Sequence, residues 1–291
     1  MTKSIQFSVV TPSFNQLGWL ELCIASVADQ APGVSVEHMV CDGGSSGIDD
    51  FRTRMLARHP ATANYALRFE VGTDTGMYDA INKGLGQATG NICSYLNCDE
   101  QLLPGALEAV GSCFDRHGGV EVVFGDTIVV DRAGEALCYW RPYVPSRSHL
   151  AGATLNTLSC STFFRRSIVE EGHLFDPEWK VVGDLLWIRG LLEKRRRMAC
   201  LPQALAVFTF LGDNLGASAK AHEEFAASRG ESGVIPRMVR KAMHAFRKFF
   251  SGAYRRRRVT YDIFPLSDPS VRRRYSNDSL GWTWPGLSAS R

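Results

Sequence analysis

The feature that most constrains the fold is the stretch from Asp74 to Glu100, which has the pattern of a helix followed by a short buried strand. Five apolar residues recur there at helical spacing: Met77, Ala80, Ile81, Leu85 and Ala88. Asp74 is expected to be the N-cap of this helix, and Gly90 is expected to end it. Residues 92–96 form a mostly apolar run, typical of a strand covered on both faces.

This strand runs directly into polar and acidic residues, Asn97-Cys98-Asp99-Glu100. In an open α/β sheet, ligands bind just beyond the carboxyl ends of the strands. Carboxylate oxygens at that position are well placed to hold a divalent cation. An acidic loop that caps the helix after Pro104 is the alternative, and the Asp-Glu pair alone does not decide between the two.

The N-terminal part of the chain repeats the same arrangement. Strand-like runs at residues 7–11 and 36–40 flank a helical pattern over residues 16–30. The first strand runs into Pro12-Ser-Phe-Asn15 and the second into Asp42-Gly-Gly-Ser45. A strand–helix–strand unit with polar loops at the strand ends predicts an α/β fold with a doubly wound, mostly parallel sheet flanked by helices.

Composition limits the class of protein. A chain of 291 residues with 45% hydrophobic content can bury one large core, or one core and an appendage. The eight cysteines are scattered and form no C-x-x-C pair, which favours reduced thiols in a cytosolic setting over disulfides or a zinc site. No signal peptide is recognisable, and no run approaches the roughly 18 apolar residues that span a bilayer. These observations predict a cytoplasmic protein.

Charge separates the C-terminal part from the rest. Residues 216–291 contain 15 Lys+Arg and 6 Asp+Glu, so the remainder of this chain of net charge +3 is acidic. We therefore expect two units, residues 1–218 as an α/β domain and residues 219–291 as a basic helical extension. A helix over Pro236–Phe250 would have one apolar and one basic face, typical of peripheral contact with an anionic membrane. Docking of its apolar face on the body is the first alternative, and nucleic-acid binding is the least favoured.

Several of these blocks, in order from Ile5 to Gly212, resemble glycosyltransferase family 2, which has the GT-A fold. The central block carries D-T-G-M-Y-D-A-I-N-K-G, then A-T-G, then L-N-C-D-E. The likeness is strongest to the bacterial subgroup that assembles surface polysaccharides. It implies an inverting glycosyltransferase that moves a sugar from a nucleotide-diphosphate sugar, with a UDP-sugar favoured, to a glycan or lipid-linked acceptor.

The resemblance also implies which residues bind the nucleotide sugar: Thr11, Pro12, Phe14, Asn15, Asp42, Asp74, Lys83, Asn97 and Asp99. The backbone of residues 11–15 and the Phe14 ring would line the base. Asp42 would accept the imide N–H of uracil, since cytosine has no proton at that nitrogen. Lys83 would pair with the diphosphate, and a surface ion pair with Asp79 is the alternative.

The resemblance implies that Asp99 holds Mg²⁺ or Mn²⁺. This chain departs from the family at Asn97, where many members have an acid, and the lost charge predicts weaker metal binding. The family's general base precedes a helix with an L-W-x-R pattern, and the matching residue is Asp184. Apolar neighbours would raise the pKa of Asp184 and suit it to act as a base near neutral pH. Its alternative role is the N-cap of a helix over residues 185–192.

Three further residues have competing interpretations. Asp126 lies in a Gly-Asp pair that family members often carry, so it would face the sugar or else lie in an edge turn. Trp140 and Tyr143 would stack on a sugar ring or belong to the core.

Two rival functions also stay open. One is a catalytically weak glycan-binding or scaffold member of the fold. The other is a sugar nucleotidyltransferase, which typically has a glycine-rich loop after its first strand, where this chain has Pro-Ser-Phe-Asn.

Overall fold

The structure is a computed structural model that describes residues 6–150, 155–212, 219–228 and 237–285. Strands and helices alternate in its N-terminal part: β1 (Phe7–Ser13), α1 (Leu17–Ala28), β2 (Val36–Asp42), α2 (Ile48–Arg58), β3 (Tyr65–Val71), α3 (Met77–Gly86) and β4 (Ile92–Tyr95). Strands β1, β2 and β4 are buried along their whole length. This burial is expected for strands that helices cover on both faces of a sheet.

The middle of the chain is more irregular. It comprises β5 (Gln101–Leu102), α4 (Ala106–Arg116), β6 (Val122–Val130), β7 (Ala136–Trp140), α5 (Arg147–Leu150), β8 (Thr162–Arg165), α6 (Ser167–Glu170), α7 (Gly183–Glu193) and β9 (Met198–Thr209). The C-terminal part comprises α8 (Ala219–Ala227), α9 (Arg237–Ser251), β10 (Arg257–Ile263) and β11 (Arg273–Leu280). Within the described ranges, no helix combines the length and apolar character needed to cross a bilayer.

One nine-stranded sheet organises the body, in the order β3-β2-β1-β4-β8-β6-β9-β5, with β7 paired to β6. Strands β3, β2, β1 and β4 are parallel. Strand β8 then inserts antiparallel between β4 and β6, and β9 runs parallel to β6. The predicted α/β class is confirmed, and the parallel pairing is concentrated in the N-terminal half of the sheet.

The parallel register brings the polar loops together at one edge of the sheet. Ser13 at the end of β1 pairs with Asp42 at the end of β2, and Asp42 pairs with Val71 at the end of β3. Val10 pairs with Tyr95, the last residue of β4. The loops that follow all four strands therefore open at the same edge, which is where open α/β sheets bind ligands.

Helices cover both faces of this sheet. On one face, α1, α2 and α4 bury residues such as Ile24, Phe51 and Leu107 against the strands. On the other face, α3 and α7 contribute Ile81 and Trp187 to a second core cluster. Helices α3 and α7 thus share a layer, and this shared packing brings the helix that begins near Asp74 next to the helix that carries Asp184.

The hairpin of β10 and β11 packs on the outer part of the sheet. Tyr261 and Tyr275 join an apolar cluster that includes Ile128 of β6 and Val207 of β9. The Tyr261 hydroxyl donates to the Gly134 carbonyl at 2.6 Å. The division of the chain at residue 218 stays a prediction, and the hairpin shares an apolar core with the sheet that precedes that boundary.

Candidate active site

The loops after β1 and β2 are bonded to each other. The Asn15 backbone N–H donates to Ser45 Oγ at 2.6 Å, and the Ser46 N–H donates to Asn15 Oδ1 at 3.2 Å. Asn15 has a φ of 53°, a left-handed conformation that asparagine tolerates better than most residues. Asn15 therefore fixes the first loop against the second, and this explains its position at the end of the Pro-Ser-Phe-Asn segment.

Asp42 shapes the second loop through its carboxylate. Asp42 Oδ1 accepts the backbone N–H groups of Gly44 and Ser45, and Oδ2 accepts the Ser45 hydroxyl at 2.7 Å. The carboxylate is buried. A carboxylate oxygen has two lone pairs, so Oδ2 keeps one acceptor position beyond its bond to Ser45.

Phe14 and Asp74 meet across Gly43. A Cβ atom at Gly43 would lie 2.9 Å from Asp74 Oδ2 and 3.1 Å from Phe14 Cδ2, so only glycine fits at this crossing without a shift. The Phe14 ring is 61% exposed, which is unusual for a large apolar side chain beside a buried loop. The exposed Phe14 ring and the partly buried Asp74 carboxylate thus form a platform beside Gly43, next to the loop that the buried Asp42 shapes.

Thr11 and Pro12 lie buried within β1. The Thr11 hydroxyl is hydrogen-bonded to His38 Nε2 at 2.8 Å, inside the core. The side chain of Thr11 is thus committed to the sheet. The backbone of Thr11 is paired with Val40 of β2, so a ligand role for the backbone of residues 11–15 stays a prediction.

The loop before α3 is held by the helix that follows it. Asp74 Oδ1 accepts the Gly76 N–H at 2.9 Å, and Asp79 Oδ2 accepts the Thr75 N–H at 2.9 Å. The expectation that Asp74 is the N-cap is wrong, because α3 begins at Met77 and Gly76 occupies the cap position. Asp74 instead shapes the turn before the helix.

Lys83 bonds to the same loop. Its Nζ donates to the Thr73 carbonyl at 2.9 Å and lies 3.2 Å from Asp79 Oδ2. The ion pair that was the alternative interpretation of Lys83 is thus present. The backbone N–H of Thr75, with Lys83, lowers the pKa of Asp79. Lys83 is partly exposed at the edge where the loops open, so pairing with a diphosphate stays a prediction.

Residues 97–100 form a tight turn after β4. The Asn97 N–H donates to Glu100 Oε2 at 2.8 Å, and the Glu100 N–H donates to the Asn97 carbonyl at 3.0 Å. Burial raises the pKa of Glu100 well above its usual range, and the charge of Asp99 adds to the effect. Glu100 is therefore a buried structural carboxyl that fixes the turn, whereas Asp99 is half-buried at the sheet edge.

The oxygen atoms of this turn decide whether it suits a metal ion. Among the described residues, no group of three or more His, Cys, Asp or Glu side chains is placed to hold a metal. However, Asn97 Oδ1 is buried without a hydrogen-bond partner, close in sequence to Asp99. An unpaired buried amide oxygen is costly, and it is also a hard ligand of the kind that Mg²⁺ and Mn²⁺ accept. The turn thus offers two oxygen donors of the kind that a divalent cation accepts, Asn97 Oδ1 and the Asp99 carboxylate.

Asp184 lies in the first turn of α7. The expectation of an N-cap is wrong, because the helix begins at Gly183 and Val182 is the cap residue. Asp184 Oδ1 accepts the Leu185 N–H at 2.7 Å. Burial raises the pKa of Asp184 to about 6, against smaller opposing effects of backbone N–H groups and of Tyr78. A carboxylate with this pKa is ionised at neutral pH and is a stronger base than an ordinary aspartate.

Tyr78 connects Asp184 to α3. The Tyr78 hydroxyl donates to the Val181 carbonyl at 3.1 Å and accepts the Asp184 N–H at 3.2 Å. A Cβ atom at Gly183 would lie 2.5 Å from the Tyr78 ring, so glycine is needed for this close packing. Asp184 also lines a small pocket, with Tyr95, Leu155, Thr157, Ser159, Thr162, Phe175, Trp187 and Ile188. Tyr95 ends β4, so this pocket lies directly beside the turn at residues 97–100.

Sequence reasoning missed Glu224 of α8. Its carboxylate accepts the backbone N–H groups of Lys180, Val181 and Val182 at 2.8–3.2 Å. Burial opposes ionisation, but these three donors outweigh it and lower the pKa of Glu224. Glu224 therefore fixes the segment before α7 from another helix. No local pattern in the sequence could have shown this, because the partners are more than 40 residues apart.

Lys180 was missed as well. Its Nζ donates to the carbonyls of Thr75 at 2.6 Å and Pro177 at 2.7 Å. Lys180 thus bridges the segment before α7 and the loop that carries Asp74. The two loops that hold candidate site residues are bonded to each other by one side chain.

Asp126, Trp140 and Tyr143 are held by other residues of the body. Asp126 is buried on β6, where its Oδ2 accepts the Tyr139 hydroxyl at 2.7 Å and Arg141 Nε at 2.8 Å. Trp140 Nε1 donates to the Asn156 carbonyl, and Asn156 Nδ2 donates to the Tyr143 carbonyl. These contacts favour the core interpretation of Trp140 and Tyr143. The edge turn expected at Asp126 is wrong, because the buried strand β6 runs through this residue.

Comparison with solved structures identifies the fold. The chain matches Staphylococcus aureus TarS 1–349 in complex with UDP-GlcNAc with a TM-score of 0.59 and 18% identity, over 84% of this chain and 73% of that one. It matches the mannosyltransferase PcManGT of Pyrobaculum calidifontis, in complex with GDP-Man and Mn²⁺, with a TM-score of 0.57 and 18% identity. The match covers 85% of this chain and 70% of that one. A further TarS 1–349 structure is matched over 60% of its length. The shared fold is GT-A.

Sequence comparison identifies the family. An uncharacterized glycosyltransferase of Mycobacterium tuberculosis is 27% identical over 236 residues, 79% of this chain and 83% of the relative. A PGL/p-HBAD biosynthesis glycosyltransferase of Mycobacterium bovis is 31% identical over 124 residues, and the match spans about half of that relative (47%). The profile described as "Glycosyl transferase family 2" matches residues 8–172, more than half of the 291 residues. The chain therefore belongs to glycosyltransferase family 2.

Proposed function

We propose that this glycosyltransferase binds a nucleotide-diphosphate sugar at the open edge of the sheet and transfers the sugar with inversion. The observation that carries the proposal is the convergence of two groups of residues. The platform of Phe14 and Asp74, next to the Asp42 loop, follows the parallel strands, and the pocket of Asp184 adjoins the end of β4. A nucleotide on the platform would direct its diphosphate along the sheet edge toward Asp99 and its sugar toward Asp184.

A UDP-sugar is the proposed donor. The exposed Phe14 ring offers a flat apolar surface for a base, and the free acceptor position on Asp42 Oδ2 suits the imide N–H of uracil. TarS in complex with UDP-GlcNAc supports a uridine donor for this fold. PcManGT in complex with GDP-Man shows that the fold also accommodates guanine. Binding of UDP-sugars compared with GDP-sugars therefore decides between uracil and guanine as the base.

Asp99 and Asn97 are the proposed protein ligands of Mg²⁺ or Mn²⁺. The unpaired Asn97 Oδ1 and the half-buried Asp99 supply oxygen donors at the carboxyl end of β4. The Mn²⁺ in the PcManGT complex supports a divalent ion in this fold. When bound, the ion would offset the negative charge that develops on the departing diphosphate.

Asp184 is the proposed general base. Its carboxylate takes the proton of the acceptor hydroxyl, and the acceptor oxygen forms a bond to the anomeric carbon. The bond from that carbon to the diphosphate oxygen breaks at the opposite face, and the nucleotide diphosphate leaves with the electron pair. One displacement inverts the anomeric centre without a protein nucleophile. The pKa of about 6 leaves Asp184 ionised at neutral pH.

The proposed acceptor is a glycan or lipid-linked sugar in bacterial surface-polysaccharide assembly, with the enzyme in the cytoplasm at the inner face of the membrane. The eight cysteines are free thiols, which is compatible with a reducing compartment. The name of the matched Mycobacterium bovis relative, a PGL/p-HBAD biosynthesis glycosyltransferase, supports a glycoconjugate acceptor. A catalytically weak glycan-binding or scaffold member is the rival, and the pKa of Asp184, raised to about 6 as suits a general base near neutral pH, favours an active enzyme.

Donor binding and hydrolysis would test the proposal. UDP-, GDP- and TDP-sugars are each titrated into the protein by calorimetry with Mn²⁺ or with EDTA, and release of nucleotide diphosphate is measured. We expect UDP-sugars to bind best and only with Mn²⁺. Asp99→Ala should abolish the metal-dependent binding, because it removes the principal charged ligand.

Asp49→Asn is the matched control, because Asp49 is an exposed carboxylate on α2. It should bind donor as the wild type does. Equal UDP affinity with EDTA and with Mn²⁺ would refute the metal role of Asp99. Failure of every nucleotide sugar to bind would favour the scaffold alternative.

A further inference from the structure

Helix α9 is attached to the body through its polar side. The Tyr143 hydroxyl is hydrogen-bonded to His244 Nδ1. Arg247 donates to the Val144 carbonyl at 3.2 Å, and its guanidinium lies 5.5 Å from the centre of the Tyr143 ring. Lys248 Nζ lies 4.5 Å from the centre of the Trp140 ring, and burial lowers the pKa of Lys248. These polar and aromatic contacts fix the helix in a definite rotation about its axis.

This rotation turns the apolar side of α9 outward. The α9 apolar face comprises Met238, Val239, Met243, Phe246, Phe249 and Phe250, and all six are exposed. The three phenylalanines are 64–69% exposed. Their rings form one patch, with centres 4.3 Å apart for Phe246–Phe250 and 5.5 Å apart for Phe249–Phe250. A contiguous apolar patch of this kind on a protein surface marks an interaction site.

The segment around this face is strongly basic. Residues 237–258 contain nine Lys and Arg residues and no Asp or Glu. Of these, Lys241, Arg255, Arg256 and Arg258 are exposed. This positive charge favours some binding partners of the α9 apolar face over others. A second copy of the same face would bring two such segments together, which like-charge repulsion opposes. A nucleic acid would complement the charge but leave the phenylalanines in water.

We propose that the α9 apolar face inserts into the surface of an anionic lipid bilayer, with the exposed basic residues at the level of the headgroups. An amphipathic helix with aromatic residues on one side and Lys and Arg on the other has this behaviour. The polar contacts to Tyr143 and Trp140 hold the helix while its apolar face is buried in lipid.

The proposed orientation also bears on the acceptor. Helix α5 packs against both α9 and α7, so the helix that carries Asp184 lies one layer from the bilayer. Arg147 of α5 donates to the carbonyls of Leu192 and Glu193 at the end of α7. These contacts reach the C-terminal end of α7, whereas Asp184 lies in its first turn. If the acceptor is lipid-linked, which rests on the proposed function, it would extend from the membrane along α7 to reach Asp184. Vesicle binding itself does not depend on that reaction.

Sedimentation with vesicles tests the proposal directly, with the full chain and without donor. Phosphatidylcholine vesicles with and without 30% phosphatidylglycerol, about the anionic fraction of a bacterial-type surface, are compared at low and high salt. The full chain should bind the anionic vesicles, and high salt should weaken binding. Replacing an exposed basic residue near the surface should weaken binding about five-fold, so Arg255→Gln with Arg256→Gln should weaken it about 25-fold.

Phe246→Ser with Phe249→Ser and Phe250→Ser should abolish vesicle binding and leave thermal unfolding unchanged, because the three rings are exposed. A matched control replaces Leu56, Leu137 and Val271 with serine, since these are exposed apolar residues elsewhere on the surface. The control should bind vesicles as the wild type does.

Three outcomes would overturn the proposal. One is that the full chain ignores anionic vesicles. A second is that the phenylalanine triple variant binds them as well as the wild type does. A third is that the full chain ignores vesicles but forms a dimer in sedimentation velocity that the triple variant loses, which would assign the face to a second copy. Loss of sugar transfer with intact vesicle binding would instead refute the proposed function and leave the membrane contact in place.

Discussion

Asp184→Asn tests the proposed base because it changes charge with little change in shape. The amide keeps an oxygen that can accept the Leu185 N–H, now at 2.7 Å, so the start of α7 is preserved. The variant cannot take a proton at neutral pH. Two quantities should therefore change in opposite directions, with the rate of sugar transfer falling and the free energy of unfolding rising.

The stability change follows from the raised pKa of Asp184. A rise from 3.8 to about 6 corresponds to about 3 kcal/mol. This is an upper limit, because Asp184 is partly accessible to solvent. The folded state binds the proton more tightly than the unfolded state, so ionisation of Asp184 destabilises the fold as pH rises from about 4 to 6. Asp184→Asn should thus stabilise the protein by up to about 3 kcal/mol at pH 8, and by little at pH 4.

The activity change follows from general-base catalysis, which contributes about 10²–10⁴-fold. Transfer by the wild type should rise with pH up to about 6 and then level off, because ionised Asp184 is required. Asp184→Asn should lose about 10²-fold or more in kcat while donor affinity by calorimetry is unchanged. Urea unfolding at pH 4 and pH 8 measures the stability change.

The exposed Asp115 of α4 provides the matched control. Asp115→Asn should change neither the rate nor the pH dependence of stability. Near wild-type transfer by Asp184→Asn would show that Asp184 is not the base. An activity loss accompanied by lower stability at pH 8 would refute the burial argument, because it would show a structural role for the charge.

Two further predictions concern the support of Asp184. Gly183→Ala should lower the free energy of unfolding in urea by about 1–3 kcal/mol, because its Cβ would lie 2.5 Å from the Tyr78 ring. The control Gly86→Ala has open space around it and should lose no stability. Equal stabilities of the two variants would contradict the packing argument. Glu224→Gln should cost about 1–3 kcal/mol, because it weakens charge-assisted bonds to three backbone N–H groups, and the exposed Glu223→Gln is its control. The stabilisation by ionised Glu224 should be present above pH 4.5 and be lost as pH falls through its lowered pKa. A stability difference between wild type and Glu224→Gln that is the same at pH 3 and pH 7 would contradict a role for the charge.

The sequence by itself predicted the first strand–helix–strand unit, the later helix–strand pair and the edge of the sheet where the candidate site lies. It did not predict the β10–β11 hairpin, because residues 219–291 were expected to be a helical extension. Periodicity and burial are local signals, so the helix that became α3 and the strand that became β4 could be predicted from Asp74 to Glu100 alone. The position of polar loops after buried strands predicted their convergence, because parallel strands place their carboxyl ends at one edge.

The ends of the helices were harder to predict from the sequence. Asp74 and Asp184 both have the residue type of an N-cap, but the observed cap positions are Gly76 and Val182. Cap geometry depends on where the chain enters the helix, and packing partners set that entry. Lys180 fixes the loop before α3, and Glu224 fixes the segment before α7. Both bonds join segments distant in sequence, so no local pattern contains them.

The tertiary structure also decided the rotation of α9. The sequence showed one apolar and one basic face, and the apolar face of a helix usually packs on the core. Here the body presents the rings of Trp140 and Tyr143 and the Val144 carbonyl, which bind cationic and polar side chains of α9. The phenylalanines are left at the surface as a result. An amphipathic pattern determines that a helix has two faces, and only the chemistry of the surface it meets determines which face is turned inward.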